Sequence, residues 1–172
     1  MSGERGEASW IAGDLVITHE VMAEIEAHAR AAYPSECCGF LSGPADQPPL
    51  LDGAQREENE ADKYHKLDPE TFPRTSRDYF KINELRAAKA FDAGEKSGRP
   101  IKVIYHSHPD VGAYFSKEDA ATFASNNTLM WPCAFIVLAS RADRIADKKL
   151  WVHVPGSNEF RESTLTVRAP AR

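Results

Sequence analysis

Along the chain, apolar runs alternate with stretches of helical period. Leu15-Val16-Ile17 predicts a short strand, and Thr18 is placed to cap a helix running to about Ala32. Within that helix Val21, Met22, Ile25, His28, Ala29 and Ala32 recur at the three-to-four spacing of a face packed on a sheet, and Tyr33-Pro34 stops it. Glu36 to Gly43 reads as a buried strand closed by a glycine, and Pro44 to about Gly53 is turn-like. Arg56 to Arg77 is polar and without clear period, a length that in a compact domain is either functional or mobile. Tyr79 to Ile82 predicts a strand. Asn83 then caps a helix from Glu84 to about Lys96, with Leu85, Ala88, Phe91 and Ala93 near one face and Gly98 and Pro100 ending it. Ile101 to Tyr105 and Cys133 to Ala139 are apolar runs expected of strands, the second a central one, and Ser116 opens a helix through about Ala124. Arg141 to Asp147 reads as a turn, Lys149 to Val154 alternates like an edge strand, and Phe160 to Val167 adds a last strand. Only Trp10-Ile11 interrupts an otherwise patternless start, so residues 1–13 are expected to be a flexible tail and 14–167 one domain. The interleaving predicts an α/β (α+β) fold, a mixed sheet flanked by helices.

Composition narrows this picture. The 172 residues suffice for one domain with a real core and fall short of two ordinary ones. A net charge of -5 with no Lys/Arg cluster argues against nucleic acid as a partner. No apolar run approaches the ~18 residues of a membrane helix, and Met1 to Glu7 lacks the basic and apolar regions of a signal peptide. The expectation is a cytoplasmic protein without a membrane partner. An odd count of three cysteines, with Cys37 and Cys38 adjacent, makes no disulfide framework and fits reduced, buried thiols.

The candidate chemistry lies at Tyr105-His106-Ser107-His108-Pro109 and Ser116-Lys117-Glu118-Asp119. Histidines two apart on a strand leave the same face, which makes a two-pronged metal grip. Asp119, in the first turn of a helix, can supply a third ligand, and two His with one carboxylate leave a fourth position open on a tetrahedral Zn2+, the layout of a catalytic site. Each part has an ordinary explanation alone: surface histidines for the pair, and a helix capping box for Ser116 with Asp119. Other His-x-His patterns fail on spacing or size. A barrel hydrolase needs roughly 250 residues, a cupin wants a Glu about four residues beyond the pair, and a zinc deaminase wants His-x-Glu with Cys-x-x-Cys.

With Glu36 added upstream, the constellation Glu36, His106-Ser107-His108, seven residues, Ser116, two residues, Asp119 resembles the JAMM (MPN-plus) metalloproteases. Tyr33 to Gly39 and Tyr105 to Asp110 resemble the family's segments around the glutamate and the metal strand, while Phe115 departs from the Pro that many members carry before the serine. The resemblance implies a single MPN/JAMM domain with a cytidine-deaminase-like mixed sheet. It implies one catalytic Zn2+ on His106, His108 and Asp119, Glu36 as general base, and Ser116 as donor to the oxyanion.

Asn59, His65, Asp68-Pro69-Glu70 and Phe72 to Thr75 further resemble a segment of prokaryotic members that process ubiquitin-like sulfur carriers. The implied partner is a ubiquitin-like β-grasp sulfur carrier protein of the ThiS-like kind. The implied reaction is trimming of its C-terminus to expose a Gly-Gly end, with the insert 56–77 as tail groove and His65, Arg74 and Arg77 as substrate-binding candidates. The alternatives are an isopeptidase that removes a ubiquitin-like tag, removal of cysteine or another amino acid from a loaded carrier, a metal-free MPN scaffold, and a cysteine hydrolase on Cys37 or Cys38. The oligomeric state, a homodimer included, is left open.

Overall fold

The structure is a computed structural model that describes residues 8–170; most of the tail expected over 1–13 lies outside the described residues. The part of it that is described departs from a loose tail, because Ser9–Ala12 is a 3-10 turn with Ile11 buried. From there the chain runs through β1 (Leu15–Thr18), α1 (His19–Ala32), β2 (Cys38–Ser42), β3 (Leu50–Leu51) and β4 (Gly53–Glu57). Next come α2 (Ala61–Leu67), α3 (Glu84–Ser97), β5 (Ile101–Pro109) and α4 (Lys117–Phe123). A small hairpin, β6 (Ala124–Ser125) with β7 (Thr128–Leu129), leads to β8 (Ala134–Ser140), β9 (Ile145–His153), β10 (Phe160–Ser163) and β11 (Leu165–Arg168).

The main sheet has the order β10-β9-β8-β5-β2-β4, and β11-β1-β3 forms a smaller parallel sheet. Only β5 and β8 run parallel in the main sheet, so it is mixed as expected. Alternation along β5 divides the core. Val103 and Tyr105 point into the layer that α1 covers, with Ile17, Ile25, Leu41 and Ile136. Ile104 points into the opposite layer, with Phe40, Phe80, Phe91 and Phe123. By the same period-two rule His106 and His108 share the second face.

Local chemistry explains the helix boundaries. Thr18 Oγ1 accepts the Val21 amide 3.2 Å away, and Asn83 Oδ1 accepts that of Arg86 at 3.0 Å, both ordinary N-caps. Gly98 closes α3 at φ 75°, a left-handed turn that costs glycine nothing. Gly39 answers a different need. It pairs across the sheet with Tyr105, and a Cβ there would meet the Tyr105 ring and the Gln55 carbonyl oxygen at 2.5 Å.

Four expectations fail for physical reasons. Tyr79 to Ile82 is not a strand: the Tyr79 carbonyl accepts from Asn59 Nδ2, the Lys81 amide donates to Asn59 Oδ1, and the Lys81 carbonyl accepts the Glu60 amide, so no ladder is needed. The buried face of α3 is Ala87 and Phe91, leaving Leu85 65% exposed. Strand β9 is not an edge, because it starts at Ile145 and β10 covers its outer side. Phe160 to Val167 is two strands that belong to different sheets, the break falling at Thr164, whose carbonyl accepts the Leu15 amide.

Candidate active site

The site lies where β5 ends and α4 begins, on the α3/α4 face, the end of a parallel strand where open sheets usually place a ligand. Ser116 caps α4 with a full capping box: its Oγ accepts the Asp119 amide, and Asp119 Oδ2 accepts the Ser116 amide, both at 3.0 Å. The cap aims Asp119 at the histidines. Asp119 Oδ2 is 3.1 Å from His106 Nε2 and 3.2 Å from His108 Nε2, and the two Nε2 atoms are 3.1 Å apart. All three side chains are buried.

These distances test whether a cation fits. Bonds of ~2.0–2.1 Å to a tetrahedral ion place neighbouring ligand atoms about 3.3–3.4 Å apart, close to the triangle observed. Protons cannot satisfy it as well. His108 Nδ1 lies 3.1 Å from the Gly112 carbonyl and donates to it, which leaves a lone pair on Nε2 facing the carboxylate and His106. Only one proton can then bridge three acceptor atoms, whereas a cation serves all of them. His106 is oriented by packing, with Phe80 stacked on its ring at 4.4 Å and 24°, while its Nδ1 has no hydrogen-bond partner.

Electrostatics follow from the enclosure. Burial pushes His106 down, which favours its neutral form. Burial raises the Asp119 carboxyl, but the imidazoles of His106 and His108 and the Ser116 amide outweigh it and hold Asp119 well below the usual carboxylate range. Burial, then the charge of Asp119, pushes Glu36 up to about 9, so its carboxyl retains a proton readily. Glu36 lies beside the trio: its carboxylate, His106 and His108 offer ligand atoms all within 4.8 Å of one another.

Glu36 is held by its backbone. Its amide donates to the Ser76 carbonyl at 2.6 Å, and its carbonyl accepts from Asn59 Nδ2 at 3.0 Å. The next amide, Cys37, donates to Ser107 Oγ at 2.8 Å, and the Ser107 amide returns a bond to the Cys37 carbonyl. The residue between the two histidines thus ties the Glu36 segment to the metal strand. Ser76 is in turn fixed by Asp62, which accepts its amide and hydroxyl at 2.8 Å. Sequence reasoning gave Ser107, Ser76 and Asp62 no role, and quoted Asn59 only for its resemblance. Ser107 carried a signal, a polar side chain within a buried run.

Beyond the trio a cleft of 210 Å³ opens, lined on one side by Arg74, Arg77, Asp78 and Tyr79 and on the other by Pro109, Val111 and Tyr114. Glu36, His108, Ser116 and Asp119 also line it. The 109–114 rim is anchored from outside: Arg141 Nη1 donates to the Val111 carbonyl and Trp151 Nε1 to that of Ala113, both at 2.9 Å, while Tyr33 donates to the Asp110 carboxylate. Among the candidates for substrate binding, Arg74 and Arg77 reach the cleft. His65 does not: it sits in α2 bonded to the Phe72 carbonyl, inside the insert. The insert also holds a helix that the sequence pattern did not predict, α2; it buries only Ala61, too little to leave a periodic signal. A more apolar hollow, lined by Tyr79, Phe80, Phe123, Met130 and Trp131, has none of His106, His108 or Asp119 in its lining.

All three cysteines are free and buried, and burial pushes the Cys37 thiol up to about 11 and Cys38 and Cys133 upward too. A cysteine nucleophile needs a depressed pKa and access, so that alternative falls.

A mixed sheet presenting His-x-His at the end of a buried strand, a capped Asp beside it and a Glu just ahead of the neighbouring strand is the arrangement of the JAMM class. The chain belongs to the family of prokaryotic homologs of the JAB domain, whose pattern matches residues 18–158. It is 30% identical over 129 residues to the CysO-cysteine peptidases of Mycobacterium tuberculosis and Mycobacterium bovis, covering 75% of this chain and 75% of theirs. Among solved structures it is similar to a Desulfitobacterium hafniense protein, with a TM-score of 0.66 and 22% identity over 91% of this chain and 94% of that one. It is also similar to a JAB1/MPN domain protein of Archaeoglobus fulgidus, with a TM-score of 0.52 and 17% identity over 91% and 99%. Both likenesses concern the fold. Among the described residues no helix is long and apolar enough to cross a membrane.

Proposed function

We propose that the protein is a zinc-dependent peptidase that hydrolyses the peptide bond after the Gly-Gly end of a ubiquitin-like sulfur carrier, releasing the short C-terminal extension. The observation that carries this reading is the triangle of His106, His108 and Asp119 with Glu36 beside it. His106, His108 and Asp119 would hold the ion, which when bound supplies a Lewis acid and lowers the pKa of water to ~7. Glu36 takes the proton of the attacking water and delivers it to the leaving amine as the C–N bond breaks, so the carboxyl ends as it began. Ser116 Oγ accepts the Asp119 amide in the cap, which leaves its own hydrogen free to donate to the carbonyl oxygen as negative charge develops.

Trimming of several residues and removal of one amino acid from a loaded carrier were both open on sequence. The relatives named CysO-cysteine peptidase favour the second, with cysteine as the residue released. The test is a zinc-loaded preparation incubated with a ThiS-like carrier bearing cysteine after Gly-Gly, followed by intact mass. Loss of one cysteine by the wild type, and retention by Glu36→Gln with zinc content unchanged, is the expected result. Cleavage undiminished in Glu36→Gln rejects the assigned base, and a wild type that binds no zinc rejects the mechanism.

A further inference from the structure

The two arginines that line the cleft, beside the carboxyl groups of Glu36, Asp78, Glu118 and Asp119, differ in what they hold. Arg74 is committed, with Nη2 on Glu118 at 2.9 Å and Nη1 on the Asp78 carbonyl at 3.3 Å. Arg77 is exposed and has no acidic partner among the described residues; only its backbone amide is bonded, to Thr75 Oγ1. The opposite rim is apolar, with Val111 43% and Tyr114 49% exposed, and the Tyr114 ring lies 5.1 Å from that of His108. An unpaired arginine and an exposed aromatic thus line the same cleft, which His108 and Asp119 also line.

We propose that Arg77 binds the free α-carboxylate of the substrate's last residue, making the enzyme selective for tails that end shortly past the cut bond. The inference rests on the peptidase reading above. A bond cut near a chain end brings a free carboxylate into the cleft, and a cation not already paired can meet it there. The planar fork of arginine matches a carboxylate through two parallel hydrogen bonds, which a lysine cannot reproduce. Tyr114 and Val111 would cover the side chain of that residue, soft and apolar enough for a thiol. A protein joined through a lysine side chain presents no carboxylate at this position and gains nothing from Arg77, so the geometry selects peptide over isopeptide bonds.

The experiment compares two carriers that differ in one group, a C-terminal cysteine as the free acid and as the carboxamide. The zinc-loaded wild type should cleave the acid with kcat/KM higher by about 10-fold or more, the scale of one charge-assisted pair, and chiefly through KM. Arg77→Gln should bring the acid down to the level of the amide, and Arg77→Lys should restore part of the preference. Equal cleavage of acid and amide by the wild type overturns the inference and leaves the peptidase reading standing. Retained acid preference in Arg77→Gln overturns the assignment to this residue. Cleavage of neither substrate by the zinc-loaded wild type overturns the peptidase reading itself.

Discussion

Replacing Asn59 by alanine probes how the insert serves the site. The side chain uses every hydrogen-bonding position it has: Nδ2 donates to the carbonyls of Glu36 and Tyr79, and Oδ1 accepts the amides of Ala61 and Lys81, all at 3.0 Å. Two carbonyls on one side and two amides on the other admit only this orientation of the amide. Each bond is worth about 1 kcal/mol net, and a backbone group left dry costs about 1–3 kcal/mol. Because Asn59 is half-buried, water regains part of the loss, and we expect a total of about 3 kcal/mol. For a domain of this size that lowers the thermal midpoint by about 6–12 °C. Asn59→Asp keeps the shape but turns a carboxylate oxygen toward two carbonyls, so it should be at least as harmful as alanine. The proposed ligands sit on β5 and α4 and none of them bonds to Asn59, so zinc content should hold while kcat falls about 10-fold or more as Glu36 loses an anchor. Thermal unfolding by circular dichroism, metal analysis and the carrier assay read the three effects. A midpoint shift under about 2 °C, the lower bound for 1 kcal/mol, or a harmless Asn59→Asp, would refute the reasoning.

Three further perturbations read other parts of the same argument. Ser107→Ala orphans the buried Cys37 amide and should cost about 1–3 kcal/mol in urea unfolding; turnover per folded molecule should also drop, and unchanged turnover would reduce the Ser107 clamp to a purely structural tie. Gly39→Ala drives a methyl into the Tyr105 ring and the Gln55 carbonyl, and should cost about 3 kcal/mol or more, read as lost soluble yield and thermal midpoint; wild-type behaviour would show that β2 can move away. Lys102 is fully buried with Nζ donating to the carbonyls of Pro44, Gln47 and Leu50 at 2.9 Å, and burial pushes its ammonium down to about 8. Its unfolded value is about 10.4, so between the two the unfolded chain holds more protons and raising the pH favours the fold. The stability of the wild type relative to Lys102→Met should therefore rise from about pH 8 to about pH 10, and a flat difference would contradict it.

Three of the helices and the cluster at the end of β5 were legible because their signals are local. Thr18, Asn83 and Ser116 each announce a helix to the amides three residues on, and His106, His108, Ser116 and Asp119 sit within one strand, turn and first helical turn. Glu36 was legible only through resemblance, since nothing nearby marks it as more than another strand-end carboxylate. What escaped was longer in range. Asn59 bridges Glu36 and the 79–81 segment, Ser107 reaches Cys37, and Phe80 stacks on His106, each joining stretches whose separation leaves no period to read. Tyr79 to Ile82 shows the cost of ignoring such bonds: an apparent strand whose backbone groups were already spoken for by Asn59 and Glu60. His65 failed for the opposite reason, a titratable residue in a polar insert that packs within it.

The cap on α4 has one more consequence, which concerns the two parts of the site. His106, His108 and Asp119 belong to a single strand, turn and helix, whereas Glu36 arrives from seventy residues earlier and stays only while Asn59, Ser76 and Ser107 hold its backbone. A chain whose insert had come loose would keep His106, His108 and Asp119 together and lose the hold on Glu36. On the proposed mechanism, metal content therefore reports the cluster at β5 and α4, and turnover reports whether Glu36 has been brought beside it.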